Sequence, residues 1–477
     1  MKKENVEERL NFMDHLSGDK VVWIIVLCLS LISLVSIFSS TSLMATDTTS
    51  RLDIVSGQFV TIMLGMAAIF LCFRIKRIKV FKFISKYAFA ICFMMLMLLA
   101  SHKNLGIVKA MPINGAWRVL KVAGFQVHVF EVAKVGMIMY LAWAVDTFKK
   151  DKFFLANLLS RHEKFSFLAK PIWKEVIYIY CPILITTLLV LLGGTSSALF
   201  IAMIMVATIV IGGMDFRHVI VLGVIGCGMI AGCAGLYLAT RNHMEHPLFE
   251  RIGTGLSRLH LISPMEGEEI HLDDYEKFMA AKEGSRDYYD ALDKIRQPMG
   301  AKIAIHEGGI MGKGPGQSTQ KYIVPVMYED YMFSFIVEEY GLLGGIFVIM
   351  LYISLMARGS LIARNCDNNF AKIAVAGLCL LITGQGIFHV IINCDLGILT
   401  GQTLPLISHG TSSFLCFSVA FGIILSISRM ASEKIEVASA KAGSLMSDDS
   451  SGDVIMENLG ILDEFESNGE FTDNDIL

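Results

Sequence analysis

The chain has 477 residues, of which 54% are apolar and only 18% are charged, and its formal net charge is −3. Soluble globular chains carry about 25% charged residues, so this composition excludes a soluble multidomain enzyme and requires many membrane spans. Residues 431–477 hold 12 acidic residues against 2 lysines, which leaves the rest of the chain net basic. We therefore interpret the chain as a mildly basic membrane body with an acidic, disordered tail. It contains no basic cluster of the kind that binds nucleic acid.

Ten segments are apolar over enough residues to cross a bilayer, which takes about 20 residues in a helix. They predict an all-α polytopic membrane protein with a cytoplasmic segment at 1–20, a membrane domain at 21–430 and a cytoplasmic tail at 431–477. Such a chain is expected in the cytoplasmic membrane. The ten predicted spans are 21–43, 53–73, 79–100, 130–146, 174–192, 195–213, 217–240, 331–357, 371–393 and 407–429.

The orientation of these spans follows from the basic residues in their connections. The connections 74–86, 149–174 and 358–372 are rich in Lys and Arg, which accumulate on the cytoplasmic side of membranes. Both termini are therefore predicted to be cytoplasmic. Residues 241–330, between the seventh and eighth spans, become the one large extracytoplasmic loop. Its acidic stretch 263–295 is interpreted as a partly helical, solvated insertion, with a disordered acidic loop as the alternative.

Charged residues mark the entrance to the fourth predicted span. Glu131 and Lys134 are three residues apart and share a helix face, either as a self-neutralising pair or as the lining of an internal cavity. Just upstream, Arg118 and Lys121 lie in an amphipathic stretch with Trp117. They are candidates to hold an anionic head group at the outer interface. Basic side chains that only snorkel to the interface would produce the same pattern.

A glycine-rich segment, 308–321, follows the acidic insertion. It holds five glycines within residues 308–316, and Lys313 and Lys321 add positive charge. Lysines and the backbone amides that glycine exposes are groups that bind a diphosphate, so the segment is a candidate anion site. An ordinary re-entrant or surface loop with glycine turns is the alternative. The segment is not a Walker loop, because Lys313 is followed by Gly314 rather than by Ser or Thr.

Three carboxylates accompany the start of the eighth predicted span. Asp330 stands at its outer mouth, where it could take part in chemistry or simply cap the helix. Glu338 and Glu339 follow on the same segment, roughly 12–13 Å deeper if the helix is regular. A carboxylate at that depth is costly unless it is paired, protonated or placed in a wet cavity. At least one of the two glutamates is therefore expected to face an internal cavity.

The last predicted span is preceded by the segment 401–413, which contains Pro405 and a cluster of Gly, Ser and Thr. Broken backbone at membrane depth is tolerated where it lines protein or water. Ser408, His409 and Ser412 are therefore candidates to shape a cavity, with hydrogen-bonded packing as the alternative for His409. A serine hydrolase is rejected because neither a paired Asp nor a nucleophile elbow accompanies Ser408 and His409. No set of His, Cys, Asp and Glu has zinc spacing.

Four blocks, taken together and in order, resemble the SEDS family (shape, elongation, division and sporulation), which includes FtsW, RodA and SpoVE. The block 308–321, with Gly-Pro-Gly-Gln-Ser at 314–318, is similar to the most distinctive segment of the family. Its form is closer to the division branch, FtsW and SpoVE, than to RodA. The other blocks are 325–341, 404–413 with the Ser-Ile-Ser-Arg that ends at Arg429, and 115–134; the resemblance covers roughly residues 20–430.

The resemblance implies a peptidoglycan glycosyltransferase that polymerises lipid II outside the cytoplasmic membrane and releases undecaprenyl diphosphate. Asp330 aligns with the essential Asp of the family and is expected to act as the general base. The adjacent Glu329 leaves open which carboxylate does so. The residues expected to bind the substrate or its diphosphate are Lys313, Lys321, Gln317, Ser318, Arg118 and Lys134, and those expected to shape the cavity are Glu131, Glu338, Glu339, Ser408, His409 and Ser412.

The resemblance implies no organic cofactor and leaves a divalent cation, Mg²⁺ or Mn²⁺, open. Expected partners are a class B penicillin-binding protein that supplies transpeptidase activity, other division proteins and membrane lipids, at the division septum. Two alternatives remain. One is a lipid II flippase, because carboxylates inside a membrane also serve transport. The other is a division scaffold without activity, because His409 and Glu329 depart from the pattern of the family. The acidic tail is expected to be passive, with a docking motif near its end as the alternative.

Overall fold

The structure of the chain is a computed structural model. It describes residues 18–41, 51–101, 104–105, 108–113, 116–122, 124–160, 169–221, scattered residues between 223 and 232, and residues 279–281, 286–324, 326–396 and 401–448. Most of the acidic insertion 263–295 and of the predicted span 217–240 lies outside the described residues, as do the N-terminal segment before residue 18 and the tail after residue 448.

The described part of the chain is mostly helical, as predicted. The helices up to the glycine-rich segment are α1 (Lys20–Ser40), α2 (Arg51–Phe73), α3 (Ile78–Ala100), α4 (Val129–Lys149), α5 (Phe154–Leu159), α6 (Pro171–Glu175), α7 (Cys181–Leu191), α8 (Thr195–Ile211) and α9 (Arg286–Gly308). The helices after it are α10 (Met332–Arg364), α11 (Asn369–Asn393) and α12 (Thr411–Asp448). A π-helical turn at Val176–Tyr180 joins α6 to α7.

Seven of the described helical stretches are long and apolar enough to cross a membrane. They are α1, α2, α3, the continuous α6–α7 unit, α10, α11 and the first part of α12. Helix α8 is apolar but shorter, with 17 residues. Helix α4 has 21 residues but carries Glu131, Lys134 and Asp146. The polytopic helical fold is thus confirmed, whereas the count of ten spans stays a prediction.

The connection between α3 and α4 contains a four-stranded antiparallel sheet that the sequence analysis did not predict. Its strands are β1 (Asn104–Leu105), β2 (Val108–Ile113), β3 (Ala116–Val122) and β4 (Phe125–His128). Neighbouring strands pair in chain order, and the β2–β3 register shifts at Met111/Pro112. Val119 and Leu120 of β3 are buried, so the sheet packs onto the helices and holds Arg118 at their edge. The fold is therefore helical with one small sheet rather than purely α-helical.

Helices α1 and α10 are joined at both ends of α1. At its N-terminus, Asp19 accepts hydrogen bonds from the amides of Val21 and Val22 and pairs with Arg358 at 2.5 Å. At its C-terminus, the Ser39 hydroxyl donates to Oε1 of Glu339 at 2.5 Å. An N-cap carboxylate of this kind stabilises the first turn of a helix. The two contacts fix α1 along nearly its whole length against α10.

Two helices differ from the prediction in their course. Helix α10 is interrupted at Gly341, whose φ of 70° lies in the left-handed region, so the residues before and after it form two helical pieces. Helix α12 continues to Asp448, past the predicted tail boundary at residue 431. The first part of the predicted disordered tail is therefore helical. The late apolar residues of the tail, where a docking motif was considered, lie outside the described residues.

Candidate functional site

Asp330 lies in the turn directly before α10, and backbone contacts hold it on both sides. Its amide donates to the carbonyl of Val326 at 3.1 Å, and its carbonyl accepts from Nδ2 of Asn393 at 3.1 Å. Its carboxylate lies against the turn at Gly401, where an added Cβ would stand 3.1 Å from Oδ2. The side chain is therefore held at the mouth of the helix by elements distant in sequence.

Asp330 does not cap α10, which was the alternative considered for it. The N-cap residue is Tyr331, and the first amides of the helix are capped by side chains of α11. The amide of Phe333 donates to Nε2 of His389 at 3.3 Å, and the amide of Ser334 donates to Oδ1 of Asn393 at 3.0 Å. Because these groups satisfy the helix terminus, the Asp330 carboxylate is not needed there.

The surroundings of Asp330 favour its protonated form. Burial raises the pKa of its carboxyl to about 7, the negative charge of Glu329 acts in the same direction, and Arg118 opposes both. Glu329 itself is more accessible, with 40% of its side chain exposed, and its Oε1 lies 3.7 Å from Nδ1 of His409. A carboxyl with a pKa close to the ambient pH can accept a proton and release it again, which suits a general base.

Arg118, a predicted substrate-binding residue, is the positive charge that acts on Asp330. It stands on β3 and donates through Nε to the carbonyl of Gly193 at 3.2 Å. Its guanidinium lies along the turn before α8, since an added Cβ at Gly194 would stand 3.4 Å from one of its terminal nitrogens. The structure thus brings a cation from the sheet and the carboxylate at the mouth of α10 into one electrostatic site.

The glycine-rich segment is docked onto the interrupted part of α10 by its backbone. The amides of Lys313 and Gly314 donate to the carbonyls of Glu338 and Glu339, both at 2.9 Å, and the amide of Leu342 donates to the carbonyl of Gly309 at 2.9 Å. At Gly308, Gly312 and Gly341, an added Cβ would overlap backbone atoms of the facing chain. These glycines are therefore required by a close approach of two backbones.

The side chains of the segment contact the same two glutamates. Glu338 is fully buried and accepts hydrogen bonds from Lys313 at 2.8 Å, from the Thr319 amide at 2.8 Å and from the Ser318 hydroxyl. Glu339 is also buried and lies 3.6 Å from Nζ of Lys321. Pairing of this kind removes much of the cost of burying a carboxylate.

Of the residues assigned to the diphosphate on sequence grounds, Lys313, Lys321 and Ser318 have other side-chain partners in the structure, and Gln317 is held through its backbone amide. Lys313 pairs with Glu307 as well as Glu338, and Lys321 is only 3% exposed and donates to the Gly316 carbonyl at 2.7 Å. Ser318 is buried, and its hydroxyl donates to Glu338. Gln317 lies in a turn in which its backbone amide donates to the Gly314 carbonyl at 3.1 Å. A diphosphate-binding role for these four residues stays a prediction. The observed arrangement is that of a loop held by two carboxylates.

Glu131 and Lys134 form the ion pair that their spacing predicted. Nζ of Lys134 lies 2.7 Å from Oε1 of Glu131 and donates to Oε1 of Gln385 and of Gln402, both at 2.8 Å. Gln402 in turn donates to the Ser197 hydroxyl at 2.9 Å. Lys134 is 1% exposed. All three N–H groups of the Lys134 ammonium therefore have acceptors inside the protein. Through Gln385, Gln402 and Ser197, the lysine connects α4 with α11, with the segment before α12 and with α8.

A row of polar side chains on α11 was missed in the sequence. Gln385, His389 and Asn393 are spaced by four residues, share one face of the helix and are all buried. Nδ1 of His389 lies 2.6 Å from the Gln402 carbonyl. Because Nε2 accepts from the Phe333 amide, Nδ1 carries the proton and donates. Polar residues recurring every four positions in an apolar span were the available signal.

The predicted cluster of Ser408, His409 and Ser412, which spans the start of α12, packs around the turn that carries Asp330. The Ser408 hydroxyl donates to the Glu329 carbonyl at 2.7 Å, and the His409 amide donates to the Tyr328 carbonyl at 2.9 Å. The Ser412 hydroxyl accepts from the His128 amide at 2.9 Å, which ties α12 to the end of β4. These three residues therefore support the Asp330 turn and the sheet that carries Arg118.

Within the described residues, no group of three or more His, Cys, Asp and Glu side chains is arranged to hold a metal ion. Glu329 and Asp330 are neighbours in the chain, but the pair alone offers two carboxylates. The site as described is therefore built from one perturbed carboxyl, one guanidinium and their supporting hydrogen bonds.

The chain matches a family model described as "Cell cycle protein" and named for FtsW, RodA and SpoVE, over residues 19–247 and 279–433. The stretch between the two matched parts falls in the predicted extracytoplasmic loop and includes part of the acidic insertion.

Curated relatives match over very different lengths. The "Probable peptidoglycan glycosyltransferase FtsW" of Enterococcus hirae is 28% identical over 428 residues, which cover 87% of this chain and 94% of that protein. The stage V sporulation protein E of Bacillus subtilis is 26% identical over 346 residues, 72% of this chain and 79% of that protein. The protein named "Probable peptidoglycan glycosyltransferase FtsW" of Caulobacter vibrioides is 35% identical over 129 residues, 27% of this chain, and the match spans only 33% of that protein.

Solved structures support the fold. The rod shape determining protein RodA of Thermus thermophilus superimposes with a TM-score of 0.50 and 18% identity, covering 86% of this chain and 97% of that one. A chain from a structure described as a peptidoglycan synthase complex superimposes with a TM-score of 0.55 and 19% identity, covering 87% of this chain and 98% of that one.

Proposed function

Because the chain belongs to the family of cell cycle proteins that contains FtsW, RodA and SpoVE, we propose that it is a peptidoglycan glycosyltransferase that polymerises lipid II outside the cytoplasmic membrane. The observation that carries the proposal is Asp330, a half-buried carboxyl at the mouth of α10 with a pKa of about 7 and a guanidinium acting on it. A proton acceptor beside a fixed positive charge is what a transfer from a lipid diphosphate to a sugar hydroxyl needs.

In the proposed reaction, the 4-hydroxyl of one disaccharide attacks the anomeric carbon of another. Asp330 in its ionised form takes the hydroxyl proton as the new glycosidic bond forms. The bond between the anomeric carbon and the diphosphate oxygen breaks, and undecaprenyl diphosphate leaves with the electron pair. Arg118 stabilises the negative charge of the leaving group, because it is the cation that acts on Asp330 in the described site.

The other proposed cations play a supporting part. Lys134 is enclosed by Glu131, Gln385 and Gln402, and Lys321 is buried beside Glu339. In their observed positions they hold the scaffold around Asp330 rather than an anion. Mg²⁺ or Mn²⁺ remains a proposal from the resemblance alone, and no step is assigned to it because the described residues do not converge as a metal site.

We further propose that the chain works with a class B penicillin-binding protein and with other division proteins at the septum, with both termini in the cytoplasm. Similarity supports the partner and the septum: the fold resembles a chain of a peptidoglycan synthase complex, and several relatives are named FtsW. The basic connections between the predicted spans support the orientation of the termini. The partner would link the glycan strands that this chain extends.

The decisive experiment is polymerisation of lipid II by the purified chain, with and without a candidate class B penicillin-binding protein. Glycan strands longer than the substrate, resolved by gel electrophoresis, are the expected product. If no polymer forms with any cognate partner while the wild-type chain is folded, the glycosyltransferase proposal is wrong.

A flippase is the second candidate, and the ion pair between Glu131 and the buried Lys134 is the observation that favours it. Lipid II that crosses the bilayer of reconstituted vesicles without polymer formation would support transport. A scaffold without activity predicts that cells carrying Asp330→Asn divide normally.

A further inference from the structure

The length of helix α1 indicates where the glycine-rich segment lies relative to the membrane. Its 21 residues correspond to a length of about 31 Å at roughly 1.5 Å per residue, close to the hydrocarbon thickness of about 30 Å. The Asp19–Arg358 pair stands at one end and the Ser39–Glu339 hydrogen bond at the other. These polar contacts therefore lie near opposite boundaries of the hydrocarbon layer, and the predicted cytoplasmic N-terminus puts Glu339 at the outer one.

The exposure of α10 leads to the same boundary. From Met332 to Glu339 every side chain of the helix is buried in the protein. Beyond the interruption at Gly341, apolar side chains become exposed, beginning with Leu342 at 49% and Leu343 at 53% and continuing to Leu361 at 46%. The piece 342–364 has a length of about 34 Å and can span the hydrocarbon layer by itself. Lipid contact of α10 thus begins at Leu342.

The tip of the glycine-rich segment lies at that level and is apolar. Ile310 and Met311 are 66% and 76% exposed. They are held beside the start of the lipid-facing surface, because the Leu342 amide donates to Gly309 and the Leu343 amide donates to Ile310, at 2.9 and 3.4 Å. The nearby Lys313 is turned inward onto Glu338. The side chains at the exposed tip are therefore apolar, whereas Lys313 is paired with the buried Glu338.

We propose that Ile310 and Met311 insert between the acyl chains of the outer leaflet and anchor the glycine-rich segment as a shallow re-entrant loop. The occupant of this surface is bilayer lipid, because the tip continues the exposed apolar face of a membrane-spanning helix. Polar backbone at membrane depth has to be satisfied within the protein, and three successive amides that follow the tip are satisfied in this way. The amides of Gly312, Lys313 and Gly314 donate to the carbonyls of Gly308, Glu338 and Glu339.

A photo-crosslinking experiment tests this directly. The full chain, with p-benzoylphenylalanine at position 311, is reconstituted in vesicles of phosphatidylethanolamine and phosphatidylglycerol and irradiated. The mass of the intact protein is then measured by mass spectrometry. The expected result is a mass increase of one phospholipid, at a yield comparable to that from position 347, where Phe347 is 45% exposed on the lipid-facing side of α10. Position 317, where Gln317 is exposed in the same segment, is the negative control. Adducts at 311 only to protein, or a result like that at 317, would overturn the proposal.

A second measurement uses the unmodified chain. Hydroxyl radicals generated in the aqueous phase oxidise exposed methionines, and peptide mass spectrometry reports each rate. Met311 is expected to be protected to the same extent as Met350, which is 52% exposed on the face of α10 that contacts lipid. Met279 of the extracytoplasmic connection, 66% exposed, is the accessible control. Oxidation of Met311 as fast as Met279 in vesicles would contradict insertion.

Discussion

Nζ of Lys313 lies 2.8 Å from Oε1 of Glu338, and this ion pair links the glycine-rich segment to the interrupted helix α10. Lysine and glutamate are 25 residues apart in the chain. Lys313, which the sequence suggested as a ligand of the diphosphate, is thus the partner of Glu338, a carboxylate whose burial would otherwise cost free energy. The lysine neutralises the buried carboxylate, and the carboxylate in turn holds the lysine.

Replacement of Asp330 by Asn is expected to lower lipid II polymerisation by about 10²–10⁴-fold, the usual contribution of a general base. The wild-type rate should rise with pH through about 7, because burial raises the pKa of the Asp330 carboxyl and only the ionised form accepts a proton. The measurement is the initial rate of glycan formation between pH 5 and 9. Glu329→Gln is the matched control and should stay active. Loss of activity in Glu329→Gln with an active Asp330→Asn would move the base to Glu329.

Asp330→Asn is also expected to stabilise the fold at alkaline pH. The carboxyl has a pKa of about 7 when folded and 3.8 as a free group, so the folded chain binds more protons between these values. The free energy of unfolding therefore falls as pH rises from about 4 to 7. At pH 8 the variant should gain about 2 kcal/mol, a value reduced from the full shift because the side chain is only half-buried. Thermal unfolding in detergent at pH 8 and pH 4 tests this, and an equal gain at both values would contradict it.

Glu338→Ala is expected to destabilise the chain by about 1–3 kcal/mol, because it removes the buried acceptor of the Ser318 hydroxyl and leaves Lys313 with Glu307 alone. The double variant Glu338→Ala/Lys313→Met should recover part of this loss, since it also removes a lysine charge whose one remaining acidic partner is the partly exposed Glu307. The unfolding temperature of the two variants in the same detergent gives the comparison. A double variant that is no more stable than the single one would show that the ion pair is not the main contribution of Glu338.

Two glycines of the segment separate the effect of a close approach from that of backbone strain. Gly312 and Gly316 both have a φ of 80°, but an added Cβ at Gly312 would overlap the Glu339 carbonyl, whereas nothing lies within 4 Å at Gly316. Gly316→Ala should cost about 1 kcal/mol from the left-handed conformation alone. Gly312→Ala should cost several kcal/mol more and reduce polymerisation. Similar unfolding temperatures for the two variants would contradict the close approach of loop and helix.

Lys134→Met is expected to destabilise the chain by about 3–5 kcal/mol, because Glu131 would keep a negative charge without its buried partner. Lys121→Met on the sheet is the control for loss of a less enclosed lysine, and it should have little effect on unfolding. Unfolding temperatures and polymerisation rates should both fall for Lys134→Met. Unchanged stability with lost activity would instead place Lys134 in direct contact with the substrate.

The sequence predicted the membrane helices well because each one leaves a local, continuous apolar signal. The spans predicted at 53–73 and 371–393 correspond to α2 and α11 within about two residues. The pair of Glu131 and Lys134 was also predictable, because both residues lie on one turn of one helix.

Features made by contacts between distant segments were not predictable in this way. Four short strands between residues 104 and 128 leave too little periodicity to distinguish a sheet from an amphipathic stretch. The glycines of 308–316 could equally suggest an anion site or a close backbone approach, and only the position of Glu338 and Glu339 distinguishes the two. Capping of α10 by His389 and Asn393 likewise depends on how two spans pack.

The attachment of α1 to α10 at both of its ends has a consequence for the lipid environment. Because Asp19 is fixed to Arg358 and Ser39 to Glu339, α1 cannot tilt relative to α10 to compensate for a thicker or thinner bilayer. A difference between the helix length and the bilayer thickness must then be accommodated by deforming the bilayer or by straining these polar contacts. The activity of the chain should therefore depend on the length of the lipid acyl chains. The optimum is expected where the hydrocarbon thickness equals the distance between the Asp19–Arg358 pair and the Ser39–Glu339 hydrogen bond.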